Sequence, residues 1–269
     1  MSDAPIANLS ISIVCFNSAR TMPALVDSIR GLAGQVIAVD SGSTDTTVAT
    51  LEAAGATVIH QPWLGYVKQK QFALDQCSGD WILHLDADEP VSPQLAASIR
   101  SAIAKNDPAI GGYEVNRKVI YAGKVLEHAW QPEWRLRLVR KGAANWAGFD
   151  PHDKLELIDP TRHRVERLRG TLLHDTMPSM GEFLQRQAKH AATAAESLAK
   201  TGKTTSPMKL ITSPTGALFK QLILRSAWRD GWRGWAAAGA SSAAAMMKHL
   251  ALLERTRCQE MNSGSDPDA

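Results

Sequence analysis

The first hundred residues alternate two apolar patterns. In LSISIVCF (9–16), Leu9, Ile11, Ile13 and Cys15 recur at every second position, the period of a strand with one apolar face. Thr21 then offers an N-cap for a helix to about Leu32, with Pro23 tolerated in its first turn. QVIAVD (35–40) is a short apolar run ending in an acid, and DTTVATLEAA reads as a helix stopped by Gly55. A third strand (56–60), a helix (66–77), a fourth strand WILHLD (81–86) and a helix from Ser92-Pro93 to about Lys105 complete the series.

Strand–helix repeats of this length predict parallel strands joined by right-handed crossovers, with ligands bound outside the carboxyl ends of the strands. Polar residues stand at three such ends: Asn17, Asp40 to Asp45, and Asp86 to Glu89. They are expected to converge on one crevice. After Gly111-Gly112 the pattern shifts to GYEVNRKV, WRLRLVR, DKLELI and ERLRGTLLH, strands with polar alternation that predict mixed or antiparallel additions. From Pro178 the pattern is helical: one helix to about Lys200, a Pro-bounded linker TGKTTSPMKLITSP, and helix over 215–255. The expected organisation is therefore a catalytic α/β domain at 1–177, a helical segment at 178–257 and a disordered tail at 258–269.

Composition narrows the class. At 269 residues, 44% hydrophobic and 21% charged, the chain has material for one large domain with an appendage. Three cysteines form no CxxC pair, which points to a reducing compartment and no disulfide or zinc framework. The amino terminus lacks a basic and an apolar signal region, and the longest low-charge run, 234–247, is short of the ~20 apolar residues of a spanning helix. A soluble, cytoplasmic protein is expected. Residues 181–257 carry 12 Lys/Arg against 4 Asp/Glu, so an anionic surface, lipid or nucleic acid, is an expected partner of that segment.

The chemistry concentrates in WILHLDADEP. TGKTTS lacks the first glycine of a phosphate-binding loop and follows a helix, so it reads as linker. Asp86-Ala87-Asp88 has three readings: a polar strand end, the nucleophile and acid of a haloacid-dehalogenase phosphatase, or a hard-cation site shared with phosphate oxygens. The phosphatase pattern wants Thr or Val where Pro90 stands, and a later acid pair that is missing.

IVCFN, VDSGSTDTT, QKQFAL and WILHLDADE, in this order and spacing, resemble glycosyltransferase family 2. WQPEWRLRLVRKG, PHDKLEL, LLHDTMPSMGEFLQRQAKHA and RDGWRGW are similar to bacterial lipopolysaccharide-core glucosyltransferases of that family. The resemblance implies a GT-A fold: a Rossmann-like, mostly parallel sheet with mixed additions, followed by a C-terminal helical segment. It implies an inverting, metal-dependent transfer, using Mg²⁺ or Mn²⁺, from a UDP-sugar, UDP-glucose first, to a glycolipid acceptor such as the lipopolysaccharide inner core. It implies no nucleic acid partner, and a place on the inner face of the bacterial inner membrane.

By the same resemblance Phe16 and Asn17 line the base pocket, Asp40 reads the uracil edge, and Ser41 and Ser43 continue its turn. Lys70 lies near the nucleotide, Asp86 is a ribose-side or water-mediated acid, and Asp88 is the direct metal ligand. His174 helps hold metal or diphosphate. Arg137 meets an anion, or else faces solvent on a strand edge. Asp153 is the base, one methylene shorter than the family's Glu, with His152 orienting it or the acceptor. A non-catalytic adaptor for anionic surfaces is the non-enzyme alternative.

In RSAWRDGWRGW, Trp228, Trp232 and Trp235 fall within about a 60° sector of a helix, beside Arg225, Arg229 and Arg233. That pattern suits an anionic membrane interface through 220–235, or packing on the catalytic domain.

Overall fold

A computed structural model describes residues 4–149, 152–177 and 179–262. The chain divides into two units, residues 1–118 with 132–175, and residues 119–131 with 176–269. The excursion 119–131 was assigned to the catalytic domain, but its Val119, Tyr121, Leu126 and Ala129 bury themselves with Ala227 and Ala237 of the helical segment.

In the first unit, β1 (Ile6–Cys15), β2 (Ala33–Asp40), β3 (Thr57–His60) and β4 (Trp81–Asp86) form a parallel core in the order β3-β2-β1-β4. Helices α1 (Met22–Ile29), α2 (Thr47–Ala53), α3 (Tyr66–Asp75) and α4 (Pro93–Lys105) make the crossovers. Beyond β4 the sheet turns antiparallel through β7 (Trp134–Arg140) and β5 (Ile110–Tyr121), with β10 (Arg164–Met177) at the edge. The two-residue strand β6 (Lys124–Val125) pairs with the end of β5, and β8 (Ala144–Phe149) with β9 (His152–Leu157) forms a separate hairpin. The expected mixed α/β architecture is what the chain adopts.

The period-two pattern of β1 decides which side chains meet. Leu9, Ile11, Ile13 and Cys15 are buried with Leu25 of α1 and with Leu95 and Ile99 of α4. The alternate residues Ser10 and Ser12 are buried too, and each has a partner: Ser10 Oγ donates to Gln35 Oε1 at 2.6 Å, and Ser12 Oγ lies 3.3 Å from His84 Nδ1. A second apolar cluster joins Ala73 and Leu74 of α3 to Ile82, Val139, Trp146 and Leu155. Ser92 caps α4 as expected, its Oγ accepting from Leu95 N–H at 3.3 Å. Thr21 stands at the N-cap position of α1 without capping, since its hydroxyl donates backward to Ser18 O.

The second unit contains α5 (Met180–Lys200), α6 (Lys209–Phe219), a π-helical turn (Lys220–Leu224), a 3-10 turn (Ala227–Asp230) and α7 (Trp232–Asn262). Three expectations are corrected. The linker ends at Met208, and Pro214 lies inside α6, five residues past its start. The stretch 225–235 is not one helix: Gly231 takes φ +63 between the 3-10 turn and α7, so a single angular sector does not apply to its tryptophans. Finally, α7 continues through the expected tail to Asn262, because the first helix breaker after 258 is Gly264.

Gly170 fixes β10 beside α4. Its φ is +92, and a Cβ there would stand 2.3 Å from Leu95 N. Gly170→Ala combines a left-handed backbone with a backbone clash, and is expected to cost about 2–4 kcal/mol, read as a lowered denaturation midpoint with unchanged slope.

Candidate active site

Register places the three polar strand ends side by side: Cys15 pairs with Asp40, and Val14 with Asp86. The loops after β1 and β2 are laced together. Asn17, at φ +45, accepts from Thr44 N–H at 2.9 Å through Oδ1, and its own N–H donates to Ser43 Oγ at 2.8 Å. Ser18 N–H donates to Thr47 Oγ1 at 2.7 Å and Ala19 N–H to Asp45 Oδ2 at 3.1 Å. Asparagine tolerates the left-handed region better than most residues, which suits it to this corner. Phe16, at the same corner, is exposed.

Asp40 is buried, and both its oxygens serve this loop. Oδ2 accepts from Gly42 N–H at 2.8 Å and Ser43 N–H at 2.9 Å, and Oδ1 accepts from Ser43 Oγ. Burial alone would raise this carboxyl, but the donors from Ser43 and Gly42 outweigh it and hold it below its ordinary value. Asp40 thus shapes the 41–43 turn from inside. Ser41 Oγ accepts from Gln69 Nε2 at 3.1 Å, and that buried amide also donates to Gln61 O.

The other half of the site is a chain of buried ions. Lys70 Nζ lies 2.9 Å from Asp86 Oδ1 and 2.8 Å from Asp153 Oδ2, and 4.7 Å from the centroid of Trp146. Arg137 Nη2 donates to Asp86 Oδ2 at 2.9 Å and to Glu89 Oε1 at 2.7 Å. Arg117 bridges Glu89, at 3.1 Å, to Glu133, at 2.6 Å, where Arg135 also donates at 2.7 Å. The Arg137 side chain is 5% exposed, which rules out the solvent-facing edge; the anions it meets here are the chain's own. Burial would raise Asp86, yet Lys70 and Arg137 hold it well below the carboxylate range. For Glu133, burial is likewise outweighed by Arg117 and Arg135, and it falls to about 2. His84, buried against Trp146 with ring centroids 4.7 Å apart, is pushed down to about 4 by burial and is neutral at pH 7.

Asp86 and Asp88 part company across a tight turn closed by Glu89 N–H donating to Asp86 O at 3.0 Å. While Asp86 turns to Lys70 and Arg137, Asp88 Oδ2 lies 3.4 Å from His174 Nε2. His174 Nδ1 is buried with no partner among the described residues. Asp88 and His174 are thus brought together as expected, with Asp86 engaged elsewhere. Among the described residues no group of three His, Cys, Asp or Glu could hold a metal alone. A carboxylate with an imidazole fits a divalent cation only when a ligand's oxygens complete the shell. The side chain of His152 lies outside the described residues.

Glu89, Arg117, Glu133, Gln69 and Trp146 were not singled out in the sequence as site residues. For Glu89 the signal was its place in DADEP; the others become neighbours only through pairing of β5 with β7 and packing of β8 on α3. Gln71 Oε1 accepts from Trp146 N–H at 2.8 Å and so secures β8.

Three polar strand ends meet at the carboxyl edge of a parallel sheet, the place where open α/β sheets bind their ligands. The sequence profile of Glycosyl transferase family 2 matches residues 10–156, and the chain belongs to that family. It is a glycosyltransferase, and the dehalogenase reading of Asp86 falls with that membership. Over 253 residues it is 28% identical to the lipopolysaccharide core biosynthesis glycosyltransferase LpsC of Rhizobium meliloti (strain 1021), covering 92% of each chain. It is 30% identical over 234 residues to an uncharacterized glycosyltransferase of Rickettsia felis, covering 84% of this chain and 83% of that one. Among solved structures, glucosyl-3-phosphoglycerate synthase from Mycobacterium tuberculosis with Mn²⁺, uridine diphosphate and phosphoglyceric acid superposes with TM-score 0.46 at 18% identity, over 74% of this chain and 80% of that one.

Glu133 gives the site a pH dependence whose sign is fixed. Its folded value, about 2, lies below the ordinary 4.5, so its stabilisation is complete above about 4.5 and is lost as pH falls toward 2. Glu133→Gln is expected to flatten the stability–pH curve in that window, measured by denaturant titration at stepped pH, with up to about 3 kcal/mol at stake.

Proposed function

We propose that the chain transfers a hexose, glucose in the first instance, with inversion from a UDP-sugar to a hydroxyl of a lipid-linked saccharide of the lipopolysaccharide core type. The name and near-complete coverage of LpsC support the acceptor class, and the family match supports sugar transfer. The observation that carries the mechanism is the single ammonium of Lys70, which joins Asp86 to Asp153. It ties the candidate base to the acid turn at the end of β4. No described helix is long and apolar enough to cross a membrane. A lipid-linked acceptor would place the enzyme peripherally, at the cytoplasmic face of the inner membrane.

In the reaction, the acceptor oxygen forms a bond to the sugar C1 while the bond from C1 to the β-phosphate oxygen breaks. The electron pair leaves with UDP, and the acceptor proton passes to Asp153. Phe16 and Asn17 border the base, and the Asp40 turn presents Ser41 and Ser43 toward the nucleotide. Asp88 and His174 would hold Mg²⁺ or Mn²⁺ together with diphosphate oxygens. That cation would stabilise the charge developing on the leaving diphosphate.

Lys70 adds an ordering device. An incoming diphosphate competes with Asp153 for its ammonium, so the base is released toward the acceptor once the donor is seated.

Two variants test this reading. Asp153→Asn is expected to lower transfer at least about 100-fold while UDP-sugar affinity by calorimetric titration is kept or raised, the competing carboxylate on Lys70 being gone. Substantial residual transfer would move the base elsewhere. Asp88→Asn is expected to abolish UDP release in the presence of acceptor, and an unchanged rate would remove Asp88 from the cation site.

A further inference from the structure

We propose that one face of the helical unit, formed by α6, the π-helical turn and the entry to α7, docks on an anionic lipid bilayer. The face differs from the helix expected at 225–235: it begins earlier and is broken at Gly231. Met208, Ile211, Phe219 and Ile223 are spaced by three, eight and four residues, which returns them to one side of the helix. Each is more than half exposed: 65%, 67%, 55% and 58%. Leu224, Trp228, Trp232 and Trp235 continue the exposure at 70%, 55%, 57% and 58%.

The opposite side of these elements is already satisfied. Pro214, Gln221, Leu222 and Ala227 are buried, and Gln221 accepts from Trp130 N–H at 3.1 Å. The exposed apolar groups therefore lie on a side of these elements other than the one packed within the helical unit. Half of an aromatic's ~200 Å² for each of Phe219, Trp228, Trp232 and Trp235 already gives roughly 400 Å². The aliphatic residues take the face beyond the largest apolar patch usual on a monomer.

Charge selects the occupant. Residues 203–235 hold Lys203, Lys209, Lys220, Arg225, Arg229 and Arg233 against one acid, Asp230. That acid is turned inward, accepting from the N–H groups of Glu127, His128 and Ala129 at 3.1, 3.0 and 2.8 Å, so it offers a cationic partner little. Arg233 is also held internally, donating to Tyr121 O and Ala122 O. Lys203, Lys209, Lys220 and Arg229 are exposed beside the apolar stripe. Indole rings interleaved with cations on a surface without a balancing acid match headgroup depth in an anionic leaflet, where rings enter the interface and cations meet phosphate.

The test uses the full chain and sedimentable vesicles of phosphatidylcholine alone or mixed with phosphatidylglycerol. Binding is expected to the mixed vesicles and to weaken as salt rises. The triple variant Ile211→Glu, Phe219→Glu, Ile223→Glu should lose binding at least tenfold with unchanged thermal unfolding, these side chains being exposed. Lys220→Gln and Arg229→Gln should each lose about five-fold. Equal binding to both vesicles, or suppression by free glycerol phosphate, would overturn the bilayer assignment. So would a dimer, by light scattering, that the triple variant dissociates. None of these variants touches the residues around Lys70, so the outcome is separable from that of the transfer assay.

Discussion

Everything in the candidate site depends on how two buried carboxylates, Asp86 and Asp153, come to share one ammonium. The side chains of Lys70, Asp86 and Asp153 are 9%, 22% and 12% exposed, so each charge has surrendered most of its water. Such an arrangement persists only if every charge finds a partner at hydrogen-bond distance. The chain meets this condition by extension: Asp86 recruits Arg137, Arg137 recruits Glu89, and Glu89 recruits Arg117, which ends on Glu133 and Arg135. Trp146 supplies the low-dielectric wall, its ring facing both Lys70 and Arg137. Remove one member and the next is left buried without its counter-charge, which is why strands as distant in sequence as β4, β5 and β7 act as one electrostatic object.

The sequence revealed the parallel core and its strand ends because those are local signals. Period-two apolar positions in β1, and acids immediately after apolar runs at Asp40 and Asp86, can be read in windows of a few residues. WILHLD was bounded correctly at both ends for the same reason. The ion chain was illegible because its members are joined by strand pairing rather than by spacing. Glu133 meets Arg117 because β7 runs antiparallel to β5, and no motif in PEW or NRK announces that. The resemblance to a family pointed to Lys70 and Asp153 one by one, without their contact with each other.

The helical unit failed differently. Reading 225–235 as one helix assumed a uniform 100° step, and Gly231 interrupts it. Gly234 has a packing purpose: a Cβ there would clash with Ala227 O, so glycine permits the first turn of α7 to close on the 3-10 turn. Glycines that lower intrinsic helix propensity can be requirements of tertiary contact, and propensity alone cannot tell the two apart. Pro214 teaches the same lesson in reverse, since it sits within a helix whose outer face is held by exposed apolar residues.

The ion chain counts four acids, Asp86, Glu89, Glu133 and Asp153, and four bases, Lys70, Arg117, Arg135 and Arg137. It is therefore neutral, and a diphosphate entering beside it would bring negative charge with no surplus cation to meet it. On the proposed reading, a cation accompanying the diphosphate would supply the missing positive charge. Asp88 and His174, across the turn closed on Asp86 O, are the pair proposed to receive that cation. The two acids of one Asp-Ala-Asp triplet thus face different partners, Asp86 the ammonium of Lys70 and the guanidinium of Arg137, Asp88 the imidazole of His174.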